Sequence, residues 1–458
     1  MWIDLFNSAA KLRRATADEQ LWLKDYLTYK DPRAHFRYGG PQNVYLLSAQ
    51  HEFPAGFIPQ ITKAAKLEGF AVEVADRRGP PPAHDPNADL GWLRDYQKRA
   101  VDLVEAKTRG ILWLPTGAGK TEVAVGLTRA FPVPWLFVVH RKDLMHNAAE
   151  RFNRRNAEHG LDLDDAACFG DGVYEVGERL TVASFQTLAR RLDKPGGVMV
   201  DECHTLPADS FYRTLMKFDR AYYRIGLSGT PLARGDKRSL LSVAALGPVI
   251  YRIRPDTLIK LGVIAKPHIR MVPVEHDEAK VDAKTYQGTY SKAVIRSSPR
   301  NRAIVRAAKE AAKPALIFIQ QTKHGEILKN RLTKAGLNAD FVWGAGTSAT
   351  RQRLVKALRY GDLDVLVCSS IFQEGVDIPE LRAVVNAAGG KSNIAAIQRV
   401  GRGMRRPDDT HATFEVWDFD DRGHKWLERH SRARIRAYAK EGYTVTIEDE
   451  RQGRVAGT

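Results

Sequence analysis

Short uninterrupted apolar runs punctuate this chain and alternate with stretches of helical periodicity. Ile111-Leu112-Trp113-Leu114, Trp135–Val139, Leu180-Thr181-Val182-Ala183 and Val198-Met199-Val200 each read as a buried strand that ends in a turn signal and precedes a helix-like segment. The pattern resumes with Ala315-Leu316-Ile317-Phe318-Ile319, Val365-Leu366-Val367 and Ala383-Val384-Val385. Parallel strands need long crossovers, so this alternation predicts parallel sheets covered by helices on both faces. Two such sets predict two tandem α/β domains, at residues 90–250 and 251–425, with the changeover between Leu246 and Lys266.

Ahead of them, Pro80, Pro81, Pro82 and Pro86 sit in a run that can continue neither a helix nor a central strand. Residues 79–89 are therefore expected to form an extended linker, and residues 1–78 a small α+β accessory module. In that module Val44-Tyr45-Leu46-Leu47 and Phe70-Ala71-Val72-Glu73-Val74 suggest strands, and residues 57–67 a helix. At the other end, residues 426–458 are expected to form a basic helix and tail. Residues 422–440 hold seven Lys or Arg against one acid, with Arg429, Arg432, Arg436 and Lys440 on one helical stripe. That stripe reads as a solvated face or as a phosphate-contacting one.

The 43% hydrophobic and 27% charged fractions are ordinary for a water-soluble domain protein. The formal charge of +17 over 458 residues is not. So basic a surface attracts polyanions, of which nucleic acid is the commonest partner, although charge can also serve solubility alone. Cys168, Cys203 and Cys368 lie far apart with no C-x-x-C pair, which argues against zinc and against a disulfide framework. No basic leader with an apolar run opens the chain, and no stretch reaches the roughly 18 apolar residues of a membrane span. A cytoplasmic protein is expected, without membrane or zinc.

The strand Ile111-Leu112-Trp113-Leu114 runs into Pro115-Thr116-Gly117-Ala118-Gly119-Lys120-Thr121 and then a helix. Glycines let successive backbone N–H groups turn toward phosphate oxygens, and the helix N-terminus favours the same charge. Lys120 then reaches the β- and γ-phosphates and the Thr121 hydroxyl helps hold Mg²⁺. The strict phosphate-loop pattern has glycine where this chain has Leu114. Further on, Val198-Met199-Val200 leads into Asp201-Glu202-Cys203-His204. An acid at the end of a buried strand beside such a loop suits an Mg²⁺ ligand, the role of Asp201, and Glu202 suits orientation and deprotonation of the attacking water.

Together these elements resemble the superfamily 2 helicases, and the remaining motifs of that family appear in order. The resemblance implies two RecA-like domains, an ATP hydrolase dependent on ATP and Mg²⁺, and a nucleic-acid track. In Leu93-Arg94-Asp95-Tyr96-Gln97 it makes Gln97 the adenine contact, with Arg94 beside it. Val139-His140-Arg141-Lys142-Asp143-Leu144 and Ser184-Phe185-Gln186-Thr187-Leu188 resemble motifs that grip the nucleic-acid backbone, here through His140, Arg141, Ser184, Gln186 and Thr187. Leu227-Ser228-Gly229-Thr230-Pro231 looks like the motif that couples nucleotide state to strand grip, so Ser228 and Thr230, with His204, are assigned to coupling. In the second domain Phe318-Ile319-Gln320-Gln321-Thr322, together with Gly344 and Ser369, implies strand contacts at Gln320, Thr322, Gly344 and Ser369. Glu374-Gly375-Val376-Asp377 places Gly375 and Asp377 at the nucleotide. Gln398-Arg399-Val400-Gly401-Arg402-Gly403-Met404-Arg405 supplies Gln398 and two arginine fingers, Arg402 and Arg405. Such guanidinium groups stabilise charge spreading over the γ-phosphoryl group, and their place on the second domain implies that hydrolysis needs the domains to close.

Within the superfamily, the Asp-Glu-Cys-His spelling differs from the Asp-Glu-Ala-Asp form associated with RNA helicases, while His140-Arg141-Lys142-Asp143-Leu144 and Leu246-Gly247-Pro248-Val249-Ile250-Tyr251 look like XPB-type DNA helicases. A closer resemblance is to phage UvsW-type recombination helicases, which would place the protein in a host cytoplasm. It rests on Phe36-Arg37-Tyr38-Gly39-Gly40 with Phe53-Pro54-Ala55-Gly56-Phe57, on Thr285-Tyr286-Gln287 with Ser298-Pro299-Arg300-Asn301, and on Trp417-Asp418-Phe419-Asp420-Asp421. It implies a 3′-to-5′ motor that unwinds or branch-migrates forked, junction or duplex DNA while tracking one strand; a monomer is expected separately, since no coiled-coil heptad or apolar face in the sequence suggests otherwise. Arg33, Arg37 and Tyr38 become candidate duplex contacts of the N-terminal module, which otherwise merely packs on the motor. The rival readings are an RNA helicase or remodeller, the motor part of a restriction or repair nuclease, and a clamp without turnover.

Overall fold

The computed structural model describes residues 1–31, 42–140, 142–161, 163–188, 195–205, 209–229, 239–343, 348–369, 381–390 and 413–448. It divides into two compact units, one of Met1–Pro115 and Gly119–Ile253, the other of Thr116–Ala118 and Arg254–Thr458.

The first unit opens with a four-stranded sheet. Strands β1 (Trp2–Leu5), β2 (Ala9–Arg14), β5 (Glu52–Pro54) and β6 (Glu73–Asp76) lie in the order β5-β2-β1-β6, while β3 (Thr28–Asp31) and β4 (Gln42–Tyr45) form a separate hairpin. The helix Ala17–Tyr26 starts at a capping box in which Thr16 and Glu19 satisfy each other's backbone N–H groups. Ile3, Leu12, Leu23, Phe53, Phe57 and Ile61 bury themselves in one cluster with Val243 and Ala244 of the helix Ser239–Leu246. The accessory sheet therefore shares its core with the helix Ser239–Leu246, which packs on the motor sheet. Gly56 marks the closest approach: a Cβ there would stand 2.6 Å from the backbone oxygen of Ala244 and closer still to that of Val243. Gly56→Ala is expected to destabilise this unit by on the order of 3 kcal/mol, because neither neighbour is a side chain that can swing away. A thermal melt checks this; an unchanged transition would show that the two sheets are not locked together.

The motor sheet of the first unit has eight strands in the order β10-β9-β11-β8-β12-β13-β7-β14. They are β7 (Arg109–Trp113), β8 (Trp135–Val139), β9 (Ala167–Gly170), β10 (Val173–Tyr174), β11 (Leu180–Ser184), β12 (Gly197–Asp201), β13 (Tyr223–Ser228) and β14 (Val249–Arg252). All neighbours are parallel except β9 and β10. The apolar runs of the sequence fall on the buried strands β7, β8, β11 and β12. The proline run is held where Asp85 N donates to Ala130 O at 2.9 Å and its carboxylate pairs with Arg129, also at 2.9 Å, and where His84 Nδ1 lies 3.1 Å from Glu105.

The second unit is a fully parallel seven-stranded sheet in the order β17-β18-β16-β19-β20-β15-β21. Its strands are β15 (Lys266–Glu275), β16 (Ala315–Phe318), β17 (Ala339–Val342), β18 (Val365–Cys368), β19 (Ala383–Val385), β20 (Thr413–Arg422) and β21 (Thr444–Ile447). The basic helix Lys425–Lys440 packs onto it. Leu427, Arg434 and Tyr438 are buried, while Arg429, Arg432, Arg436 and Lys440 keep the exposed face that their spacing predicts. Among the described residues no helix is long and apolar enough to cross a membrane.

Candidate ATPase site and nucleic-acid edge

In a parallel sheet the loops at the carboxyl ends of neighbouring strands meet, and ligands bind there. In the first unit β12, β13 and β7 are neighbours, with Asp201 paired to Leu227 and Ser228 to Trp113. Asp201, Ser228 and the loop after β7 therefore emerge side by side. The loop turns through Gly117 (φ 87°) and Gly119 (φ 77°), left-handed conformations that glycine adopts freely. Gly119 caps the helix Lys120–Ala130, so Lys120 and Thr121 occupy its first turn. Glycine is needed at 119 for space as well, since a Cβ would collide with Gln97 Nε2. Gln97 is 4% exposed, and its Oε1 accepts from Arg94 N at 2.9 Å. The predicted adenine contact thus sits directly under the phosphate loop.

Asp201 ends β12, and Glu202 follows with φ 46°, in the left-handed region that non-glycine residues occupy at a cost on the order of 1 kcal/mol. This turn sends the Glu202 carboxylate to Lys120, whose ammonium pairs with Oε1. The other oxygen, Oε2, lies 3.2 Å from His204 Nδ1 and accepts from Ser228 Oγ at 3.3 Å; His204 Nδ1 and Ser228 Oγ are themselves 3.0 Å apart. Burial opposes ionisation of Glu202, yet Lys120 and His204 outweigh it and hold the carboxyl far below the usual range. For Asp201 burial wins: its pKa is raised, with Glu202 adding to the rise and Lys120 and Arg151 opposing it. The adjacent carboxylates are thereby driven apart, a pattern that marks sites of chemistry. Arg151, on the helix Lys142–Glu158, adds positive charge that acts on Asp201, and no motif announced it.

Among the described residues no group of three or more His, Cys, Asp or Glu could cage a metal ion. Mg²⁺ bound to a nucleotide takes most of its ligands from phosphate and water, so one carboxylate and one hydroxyl suffice. Asp201 and Thr121, hard oxygen donors flanking Lys120, fit that requirement.

The predicted strand contacts divide into surface and interior. His140 follows β8 and is partly exposed, and Gln186 is exposed. Ser184 is 0% exposed and shares a 2.8 Å hydrogen bond with Thr187, itself buried. This pair braces the turn after β11, leaving Gln186 as the member that faces outward. In the second unit Gln320, Ser369 and Trp343 follow β16, β18 and β17, whose last residues pair as Phe318 with Cys368 and Val342 with Cys368. Gln320 is exposed, Ser369 N donates to Val342 O at 3.3 Å, and Thr322 begins the helix Thr322–Lys334. Trp343, next in sequence to the expected contact Gly344, is 45% exposed in the same row, and the sequence reading did not single it out. Arg33, Arg37, Tyr38, Arg141, Thr230, Gly344, Gly375, Asp377, Gln398, Arg402 and Arg405 lie outside the described residues.

Two family models match the chain: the res subunit of type III restriction enzymes over residues 91–233, and the helicase conserved C-terminal domain over residues 300–407. A Rad25-type DNA 3′-5′ helicase of Halobacterium salinarum is 30% identical over 81% of this chain and 60% of its own length, so the chain spans only part of that relative. The ATP-dependent DNA helicase uvsW of Enterobacteria phage T4 is 24% identical over 93% of this chain and 94% of the phage protein. Among solved structures, Saccharomyces cerevisiae Dbp5 bound to RNA and ADP BeF3 is similar in fold, with a TM-score of 0.55 at 15% identity, covering 86% of this chain and 95% of that one.

Proposed function

We propose that this chain, which belongs to the superfamily 2 helicases and is an ATP-dependent enzyme of the XPB-like and UvsW-like kind, is a DNA translocase that unwinds or branch-migrates forked and junction DNA. The observation that carries the reading is the chain Lys120–Glu202–His204–Ser228 at the carboxyl edge of β7, β12 and β13. In it the phosphate-binding lysine and the water-activating carboxylate are each other's partners. A γ-phosphate arriving at Lys120 competes with Glu202 for the ammonium and frees Oε1 to orient water, while His204 and Ser228 keep hold of Oε2. Nucleotide occupancy is thus reported to Ser228, at the end of β13, from which the coupling segment continues to Thr230. Arg402 and Arg405 supply charge to the γ-phosphoryl group, with Gln398 beside them and Gly375 and Asp377 at the nucleotide. Mg²⁺, held through Thr121 and Asp201, neutralises phosphate charge when bound.

DNA is gripped by His140, Arg141 and Gln186 on the first unit and by Gln320, Thr322, Gly344 and Ser369 on the second. The net charge of +17 and the exposed row Arg429, Arg432, Arg436 and Lys440 support a duplex contact that is made mostly to phosphates. Replacing Arg429 and Arg436 by Ala is expected to flatten the dependence of log K on log salt by about 2 without changing preference among sequences. Fluorescence anisotropy across a salt series reads this, and an unaltered slope assigns the helix face to solvent. The N-terminal module serves as a second duplex grip through Arg33, Arg37 and Tyr38. Point substitution suits it better than deletion, because removing the module strips Val243 and Ala244 of their cover.

A further inference from the structure

We propose that Arg300 and Arg434 are positioning residues for ATP hydrolysis: they fix the backbone of residues 386–390, from which the chain runs on in sequence to Gln398, Arg402 and Arg405. The proposal rests on the ATPase reading with Arg402 as an arginine finger.

Residues 386–390 leave the end of β19 and are held one peptide at a time. Asn386 N donates to Trp417 O at 2.7 Å and its side-chain amide to Asp418 Oδ2 at 3.0 Å. The carbonyl of Ala387 accepts from Arg300 Nη1 at 2.8 Å, that of Ala388 from the Tyr290 hydroxyl at 2.6 Å, and that of Gly390 from Arg434 Nη1 at 2.9 Å. Gly389 (φ 57°) and Gly390 (φ 85°) are left-handed, so this stretch has little conformational preference of its own. Its path is dictated by the three side chains that grip it.

Both arginines are two-sided clamps. Arg300 comes from the helix Ser298–Glu310, Arg434 from the helix Lys425–Lys440, and they are 0% and 1% exposed. Each gives one edge to an aspartate of β20 and the other to the strap. Arg300 Nε meets Asp421 Oδ1 at 2.8 Å, with His276 Nε2 3.1 Å from the same oxygen. Arg434 takes Asp418 in a fork, Nε to Oδ2 at 2.9 Å and Nη2 to Oδ1 at 3.1 Å, while Tyr438 donates to Oδ2 at 2.8 Å. Burial raises the Asp421 carboxyl, yet Arg300, His276 and Arg434 bring it down to about 2.

Stability alone does not account for this arrangement. Buried ion pairs are often matched or exceeded in stability by apolar residues of similar volume; what they add is direction. Arg300 Nη2 has no acceptor among the described residues, a cost that a side chain placed for stability would not carry. That nitrogen stands beside Gly389, 3.4 Å from where a Cβ would lie. At the next residue, Gln320 Oε1 stands 3.6 Å from the Cβ position of Gly390. The strap thus passes beside a proposed strand contact and, in sequence, precedes the stretch that bears the fingers. Two sequence stretches outside the helicase motifs, Ser298-Pro299-Arg300-Asn301 and Trp417-Asp418-Phe419-Asp420-Asp421, find their physical role here as the two halves of this clamp.

The test is steady-state ATP hydrolysis on forked DNA by the full chain carrying Arg434→Met, Arg402→Ala, or both, with thermal melts and DNA affinities alongside. Arg434→Met is expected to lower kcat at least about tenfold while KM for ATP and DNA affinity stay within about twofold, and to lower it no further in the Arg402→Ala background. Arg434→Lys, which cannot fork Asp418 and reach Gly390 together, should fail to rescue. If Arg434→Met does not fold, the charge-balanced Arg434→Met/Asp418→Asn replaces it, and Tyr290→Phe, which removes one hydroxyl, gives a smaller fall in kcat with the same non-additivity. Losses that multiply in full with Arg402→Ala, or a change confined to KM, overturn the positioning role while leaving the finger intact. An Arg402→Ala enzyme with wild-type kcat overturns the finger, and the positioning role with it.

Discussion

Glu202→Gln is expected to lower DNA-stimulated ATP hydrolysis by about a thousandfold, within the span of general-base catalysis, and to leave nucleotide and DNA binding in place. Glu202 is the carboxylate that Lys120 holds ionised, and the amide replacement keeps its volume and its contacts with His204 and Ser228 while losing the charge that takes a proton from water. Because the Glu202 carboxylate no longer competes with the nucleotide for the Lys120 ammonium, KM for ATP should stay the same or fall. Single-turnover hydrolysis with separately measured nucleotide affinity tests both parts. A rate within about threefold of wild type assigns the water to another base.

Arg402→Ala costs more, about a thousandfold to a hundred-thousandfold in kcat, because a guanidinium acts on charge that appears only as the γ-phosphoryl group leaves. Ground-state ATP binding gains little from it, so the loss falls on kcat and KM for ATP barely moves. Lysine should not substitute, since a point charge cannot bridge two phosphate oxygens as a planar fork does. Strand unwinding should disappear in parallel with hydrolysis while DNA binding persists. A variant that loses DNA binding and hydrolysis together would place Arg402 on the DNA instead.

The elements that sequence patterning recovers are those whose signal is local. Trp135–Val139 and Ala383–Val385 coincide with β8 and β19, and the other motor-strand runs miss by only a residue or two, because strands buried on both faces are continuous apolar runs. The strand β15 escaped for a local reason as well. Pro267 and Pro273 within Lys266–Glu275 read as breakers, yet the strand pairs on both sides with β20 and β21. In the N-terminal module the expected strands at 44–47 and 70–74 settle as Gln42–Tyr45 and Glu73–Asp76, while β1 and β2 pass unnoticed because their burial is mixed.

The phosphate loop and the Asp201-Glu202 pair were legible because their chemistry needs fixed neighbours in sequence. What spacing does not carry is partnership at long range. Nothing near Gly56 announces that Val243 and Ala244 close on it, and nothing in Ser184 says that it turns inward to Thr187. Arg151 acts on Asp201 from a helix whose pattern is that of any amphipathic segment. The clamp of Arg300 with Asp421 and of Arg434 with Asp418 joins helix residues to strand residues that only the packing of those helices on the second sheet brings together.

The most direct test of a DNA-driven motor is ATP turnover by the full chain with no nucleic acid, single-stranded DNA, forked duplex, a four-way junction, and RNA of matched length. Turnover should rise at least about tenfold with branched DNA, exceed that with RNA, and fall by about a thousandfold in Glu202→Gln. Stimulation by RNA alone, or no turnover with any of them, would contradict a DNA-driven motor.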